Sequence, residues 1–434
     1  MDLLFGMINL VNLRKVYHIR IRLTRGCRPV FEKDFRKASV FTLYFWWILW
    51  YTETKRWCNM FFIGVILLFL AACFFCGWRV SSYLKVLFPN TPKRKLAVLV
   101  SSLLSLFTLA FVLSLVAEIP IVEAIGAVFL GIFINLFLFV LLGDIVGLVL
   151  KLACKNRVHK RAKLIQSVSV LLFSLLLSGY GFINAGVVTV KEYSLTLEKT
   201  LTPLRIAMLS DLHLGSVGSE AYLENWVEKI NEEKPDIVLV AGDLIDSDFD
   251  KIEDPDRAAK LLASIKSKYG VYASLGNHDA GKTFSDMLAF FDSANITVLR
   301  DEHTVIDGRF VIAGRRDASP IGGTLYGDKR KDTASFLDEI ESALPVIVMD
   351  HNPQKVDEYD RRADLILSGH THKGQVFPAG FITKLLYTVD YGLYQNNADS
   401  PYVIVSSGIY GWGMPMKTSG HSELVVITLQ GKDV

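Results

Sequence analysis

Cysteine is scarce in this chain, and acid is scarce in its first half. Only five of 434 residues are cysteine (Cys27, Cys58, Cys73, Cys76, Cys154), and none lies beyond position 154. No second run completes a zinc site and no dense, even set suggests a disulfide framework, so neither is implied. Residues 1–190 hold 22 Lys+Arg against 7 Asp+Glu, whereas residues 191–434 hold 25 against 37. A basic front half joins an acidic back half. The acidic half lacks the basic face of a duplex binder, so no nucleic-acid partner is expected. A cleavable signal pattern is also missing, which makes an anchored protein the expectation rather than a secreted one.

What the front half does have is long apolar runs. The chain is 51% apolar, and four segments reach the ~20 residues needed to cross a hydrocarbon core: roughly Phe61 to Trp78, Leu96 to Ala117, Ile125 to Leu142 and Leu164 to Val187. They lack the polar faces that helices of a soluble bundle carry. Arg79, Lys85, Lys93, Arg94 and Lys95 separate the first two, and Lys151, Lys155, Arg157, Lys160, Arg161 and Lys163 separate the last two, while the middle loop carries Glu118 and Glu123. By the positive-inside bias both basic loops are cytoplasmic, and the chain after the fourth span emerges outside. Residues 1–59 stay open: Val40 to Tyr51 is short for a span and reads as interfacial or as a strained extra crossing, and a start at Met60 is a third reading. Asp144, just past the third apolar run, reads as an interfacial carboxylate.

From about Val188 the pattern changes to short apolar runs separated by helical stretches, the alternation of an α/β fold with buried parallel strands. The runs are Arg205–Leu209, Ile237–Val240, Val271–Leu275, Val346–Met349 and Leu365–Leu367, after the alternating strand VTVKEYSLTL. Helical spacing covers Tyr222–Asn231, Arg257–Ser267, Phe284–Ala294 and Asp332–Leu344. Each of the five runs ends in polar residues: Asp211 and His213, then Asp243, then Asn277, His278 and Asp279, then His351, then His370 and His372. Carboxyl ends of parallel strands are where sites assemble. A single Asp there is usually a cap and a single His a satisfied core residue. Five such ends together would concentrate desolvated polar groups, which bound cations would satisfy. Carboxylate, amide and imidazole without thiolate favours Mn, Fe, Zn or Co. Seven candidate ligands suit two ions sharing a bridging carboxylate.

These blocks, Asp211-x-His213, Gly242-Asp243, Gly276-Asn277-His278-Asp279, His351 and Gly369-His370-Thr371-His372, resemble in order the five blocks of the calcineurin-like metallophosphoesterases. The resemblance covers roughly residues 188–434, and the SDLHLG opening and the C-terminal SSG…GWG…P…SEL run are similar to the bacterial membrane-associated branch. It implies a four-layer αββα sandwich holding two divalent metal ions. One ion would be held by Asp211, His213, Asp243 and His372, and the other by Asp243, Asn277, His351 and His370. His278 would contact the scissile phosphate and protonate the leaving oxygen, with Asp279 orienting it. A water activated by both metals would attack the phosphorus.

The resulting expectation is a multi-pass helical membrane region at 60–187 followed by a metallophosphoesterase domain at 188–434. Its substrate would be a phosphorylated small molecule or lipid, met on the extracytoplasmic side; oligomeric state is left open. The competing reading is a metal-binding sensor or membrane regulatory protein whose phosphoesterase-like domain does not turn over. Arg315 and Arg316 of the GRRD turn are read as solvated or as phosphate contacts, and Lys373 as solvated or as added charge at the substrate mouth. His303 and His421 match no block.

Overall fold

The computed structural model describes residues 40–114, 119–155, 159–319, 329–340 and 343–432. The expectation for residues 1–39, and the loop charges Glu118 and Arg157, lie outside them. Two compact units divide the chain, Met1–Thr108 and Leu109–Val434.

Four helices carry the apolar front half: α1 (Val40–Leu87), α2 (Lys93–Ser114), α3 (Pro120–Ala153) and α4 (Lys160–Gly186). All four are long and apolar enough to cross a membrane, the stretch of α1 that qualifies being Gly64–Leu87. The short run Val40–Tyr51 lies within α1, which continues through it to Leu87 with no intervening turn. The 34 residues of α3 extend ~51 Å at 1.5 Å per residue, well beyond the ~30 Å of a hydrocarbon core. Glu123 in its first turn pairs with Lys251 of the α/β domain at 3.2 Å.

The back half builds two six-stranded sheets. The first contains β1 (Val188–Leu197), β2 (Leu204–Leu209), β3 (Ile237–Ala241), β4 (Val271–Ser274), β5 (Ile296–Val298) and β12 (Ser422–Gly431). Its spatial order is β1-β12-β2-β3-β4-β5. The second contains β6 (Glu302–Ile306), β7 (Phe310–Gly314), β8 (Val346–Met349), β9 (Leu365–Ser368), β10 (Gly392–Tyr394) and β11 (Tyr402–Val405), in the order β10-β11-β9-β8-β7-β6. Strands β2, β3, β4 and β5 run parallel, as do β7, β8, β9 and β11. That parallelism explains the continuous apolar runs, since both faces of each strand are covered.

One buried cluster lies between the sheets, where Ile206, Met208, Leu239 and Ile427 meet Phe310, Ile312, Ile347 and Leu367. A second packs the outer face of the first sheet against α5 (Leu223–Glu232), α6 (Pro255–Ala263) and α7 (Phe284–Ser293), with Trp226, Leu262 and Phe291 at its centre. The third packs the other sheet against α8 (Thr333–Asp338) and neighbouring turns through Phe336, Leu337 and Tyr359. The order helix, sheet, sheet, helix is the four-layer sandwich expected. One expectation needs adjustment. The helix read over Asp332–Leu344 stops at Asp338. The closing strand β12 enters the first sheet between β1 and β2, parallel to one and antiparallel to the other.

Phe310 is wholly buried between the sheets. Truncation to alanine removes its packing and leaves a cavity, for an expected loss of about 3–5 kcal/mol. Chemical unfolding of the detergent-solubilised full chain should show that loss, whereas Val305→Ala, at an exposed position, should stay within about 0.5 kcal/mol.

Candidate metal centre

The carboxyl ends of β2, β3 and β4 in one sheet and of β8 and β9 in the other point their following loops at a common place. Sequence-distant polar residues meet there. Asp243 Oδ2 lies 3.0 Å from His351 Nε2 and 3.7 Å from His213 Nε2. Asp211 Oδ1 lies 3.3 Å from His372 Nε2 and 4.0 Å from His213 Nε2. The amide oxygen of Asn277 faces His370 Nδ1 at 2.7 Å and His351 Nε2 at 3.2 Å. All seven sequence-predicted ligands are therefore in one cluster. Asp211, His213, Asp243 and His351 are almost inaccessible to solvent.

The backbone is bent to achieve this. Asp211, His213, Asp243, His370 and His372 all adopt left-handed φ values between 47° and 70°. That region costs a residue with a side chain of order 1–3 kcal/mol and recurs at functional sites. Asp and His are among the residue types that enter it more readily. Glycines make the close approaches. A Cβ at Gly369 would stand 2.6 Å from Ser210 Cβ, and one at Gly242 would stand 2.7 Å from the His351 ring. The two histidines of SGHTHKGQ do not share a strand face: β9 ends at Ser368, and the turn sends His370 to Asn277 and His372 to Asp211.

The electrostatics divide the imidazoles. Burial pushes His370 down to about 4 and His372 down to about 3, with His351 and His213 respectively adding to the effect. Both rings are held neutral, so each offers a lone pair. Burial acts the same way on His213 and His351, but the carboxylates around them, Asp246, Asp243 and Asp211 for the first and Asp243, Asp211 and Asp317 for the second, together outweigh it and raise both. Burial would raise the Asp243 carboxyl, yet His351 and His278 hold it well below the usual range.

The arrangement is unbalanced without a cation. His213 Nε2 and His372 Nε2 face each other at 3.3 Å, and His372 Nδ1 is buried with no hydrogen-bond partner among the described residues. Three groups of three (Asp211, His213, His372; His213, Asp243, His278; Asp211, Asp243, His351) each bring their donor atoms within 4.8 Å. Donors of this kind, converging at such spacing around carboxylates, fit divalent metal.

Sequence reasoning missed Asp246. Its Oδ1 lies 3.0 Å from His278 Nδ1 and 3.4 Å from His213 Nδ1, and Ser247 Oγ adds a 2.7 Å contact to His278 Nδ1. Burial would raise Asp246, but its bonds to His213 and His278 depress it strongly. The signal was present as a second acid three residues after Asp243. Asp279, expected to orient His278, instead accepts from the backbone N–H groups of Gly276, Ile245 and Leu244 at 2.9, 2.9 and 3.2 Å. It ties the β3 loop to the β4 loop.

Other expectations change too. Arg315 is not a phosphate contact: it is fully buried, 3.0 Å from Asp301 and stacked 4.2 Å over Phe336. Arg316 donates to the Arg300 carbonyl. Lys373 is partly buried, its ammonium 4.0 Å over the Tyr391 ring, rather than solvated. His421 binds Asn184 of α4 at 2.8 Å.

Replacing Asp246 by asparagine keeps its shape and removes the charge that fixes both imidazoles. Divalent-metal affinity of the full-length protein, read by titration calorimetry with Mn²⁺, is expected to fall about 10–100-fold. Wild-type affinity would remove Asp246 from that role.

Comparison with known proteins agrees with this geometry. The family model described as calcineurin-like phosphoesterase matches residues 204–374, a stretch that contains every residue of the cluster. An uncharacterized metallophosphoesterase of Helicobacter pylori is 30% identical over 286 residues, which cover 64% of this chain and 74% of the relative. One from Aquifex aeolicus is 32% identical over 262 residues, covering 60% and 98%. A transmembrane protein with metallophosphoesterase domain from Danio rerio is 31% identical over 281 residues, covering 61% and 63%. On these residues and relatives, the chain belongs to the calcineurin-like metallophosphoesterases and is a hydrolase of phosphoric ester bonds.

Proposed function

We propose that this protein is a membrane-anchored phosphoesterase whose two-metal centre works outside the cytoplasmic membrane. The observation that carries the reading is the position of Asp243, which stands between two donor groups. Asp211, His213, Asp243 and His372 would hold one divalent ion, and Asp243, Asn277, His351 and His370 the other. Two such ions supply Lewis acidity at the phosphoryl oxygens and acidify a water to a nucleophile at neutral pH.

The protein's own part is positioning and proton transfer. His278 is held from two sides: its backbone N–H donates to Asp243 Oδ1 at 2.8 Å, and its Nδ1 faces Asp246. With Nδ1 engaged by Asp246 and Ser247, Nε2 is the nitrogen left to deliver a proton to the departing oxygen. Trp412 stands edge-on to the His278 ring at 5.7 Å. Trp412 was not anticipated from sequence.

Orientation rests on the basic loops flanking the spans, which the positive-inside bias places in the cytoplasm. Residues 60–187 then form the membrane region and 188–434 the hydrolase domain outside. The ligand set supports hydrolysis without choosing among monoesters, diesters and pyrophosphates.

The test is turnover of soluble aryl phosphodiester and monoester by the full chain in detergent with Mn²⁺. Activity should vanish with chelator and with Asp243→Ala. His278→Ala should retain bound metal and lose about 10²–10⁴-fold in kcat, the usual worth of a positioned general acid. Bound metal with no turnover on either ester or on a pyrophosphate would favour the sensor reading.

A further inference from the structure

The loop that carries His370 and His372 runs on into a segment whose polarity is inside out. Helix α9 (Gly380–Leu386) displays Phe381, Ile382, Leu385 and Leu386 to solvent, Leu385 at 86% exposure, and Phe377 just before it is exposed as well. One of its two polar residues, Thr383, faces the protein and donates to Asp390 at 2.8 Å. A surface helix ordinarily buries its apolar side and exposes its polar one, and a contiguous apolar patch of this kind marks a contact surface. Lys384 is exposed among these residues.

What covers the patch is indicated by what it is attached to. The Phe377 N–H donates to Thr418 Oγ1 at 2.9 Å, and Ser419 Oγ donates to the Lys373 carbonyl at 2.9 Å. The strip Met416–Ser419 that receives the segment is itself seated on the spanning helices. Lys417 N–H donates to the Gly181 carbonyl of α4 at 2.9 Å, and Asn135 of α3 contacts Met416 Sδ at 3.3 Å. Gly181 lies five residues before the end of α4, the end nearer the α/β domain. The patch is thus tied, through the strip Met416–Ser419, to α3 and to the last turns of α4. Next to it, Tyr387, which directly follows α9, stands 6.1 Å from the His370 ring, so the patch lies beside the metal centre.

We propose that Phe377 and α9 dip into the outer leaflet of the bilayer that α3 and α4 cross, with Lys384 among the headgroups, so that the metal centre opens onto the membrane surface and acts on phosphate esters of membrane amphiphiles. Apolar side chains flanked by a lysine are the pattern of a shallow interfacial helix. The substrate class rests on the phosphoesterase reading above, whereas the insertion does not.

Two readouts separate them. In the first, a dansyl amino acid replaces Leu385 by codon suppression in the full chain, reconstituted one copy per nanodisc of phosphatidylcholine and phosphatidylglycerol. Blue-shifted emission quenched by a doxyl-labelled lipid is expected there, and water-like emission from the same probe at exposed Val305. Water-like emission at both positions would overturn the proposal, as would a blue shift at 385 that persists in detergent-free, lipid-quencher-insensitive form, the outcome of a protein partner or second copy. In the second, the Phe381→Ser, Leu385→Ser double variant is compared with wild type on a long-chain phosphodiester lipid in the nanodisc and on a soluble aryl phosphodiester. The lipid-to-soluble turnover ratio should fall at least about tenfold with two inserted apolar side chains removed; an unchanged ratio overturns the substrate class. Absence of turnover on both esters by wild type overturns the phosphoesterase reading and leaves the insertion result standing.

Discussion

The close opposition of buried carboxylates and imidazoles across two sheets is the constraint on which the rest of this domain depends. Asp243, 1% exposed, leaves the end of β3 and meets His351, 0% exposed, which leaves β8 in the other sheet. Neither group would leave water without the other, since an isolated buried charge is far costlier than a paired one. The sandwich must therefore be thin and aligned at this edge. The inter-sheet cluster of Ile206, Leu239, Ile347 and Leu367 supplies that spacing, and left-handed turns after the strands complete it. The strain in those turns is tolerated because hydrogen bonds from neighbouring loops, such as the His370 N–H to Asp211 at 3.0 Å, fix the same conformations.

The strands that end in the site and the candidate ligands were legible in the sequence for one reason. Parallel strands buried on both faces read as unbroken apolar runs, so the polar residues that follow mark the strand ends. Val346–Met349 was placed to the residue, and the other runs within one or two. Pairwise side-chain contacts carry no such period. Asp246 and Asp279 are both acids close to a block residue, and only the fold shows that one reaches imidazoles and the other backbone. Arg315 looked like any loop arginine until Asp301 and Phe336 enclosed it. Lys373 was misread because Tyr391, eighteen positions on, curls back beneath it. The position of β12 was equally unreadable: it pairs with β1, more than two hundred residues earlier.

The boundary near residue 188 is a boundary of composition rather than of packing. The compact unit that contains both sheets begins at Leu109 and so includes α3 and α4. Asn184 of α4 shows why. Its amide donates to the carbonyls of Lys417 and Gly420 at 2.9 and 2.8 Å, and its oxygen faces His421. In an apolar helix such an amide requires partners, and the hydrolase domain supplies all of them.

The same strip reaches the chemistry from its other end. Lys417 is wholly buried and donates to the carbonyls of Ser407 and Gly408 at 2.7 Å each, and burial pushes its ammonium down to about 7. Gly408 approaches Asp211 so closely that a Cβ there would stand 2.8 Å from the Asp211 Cβ. A few residues back along the strip, Gln375 binds the backbone of Trp412 and Met414 and so sets the indole against His278. Hydrogen bonds thus join Asn184 to Lys417 and Lys417 to Ser407 and Gly408, and Gly408 in turn lies against Asp211. Movement of α4 relative to the sheets would have to break buried hydrogen bonds or carry the Asp211 loop with it. Helix α4 is therefore part of the scaffold that holds the Asp211 loop in place.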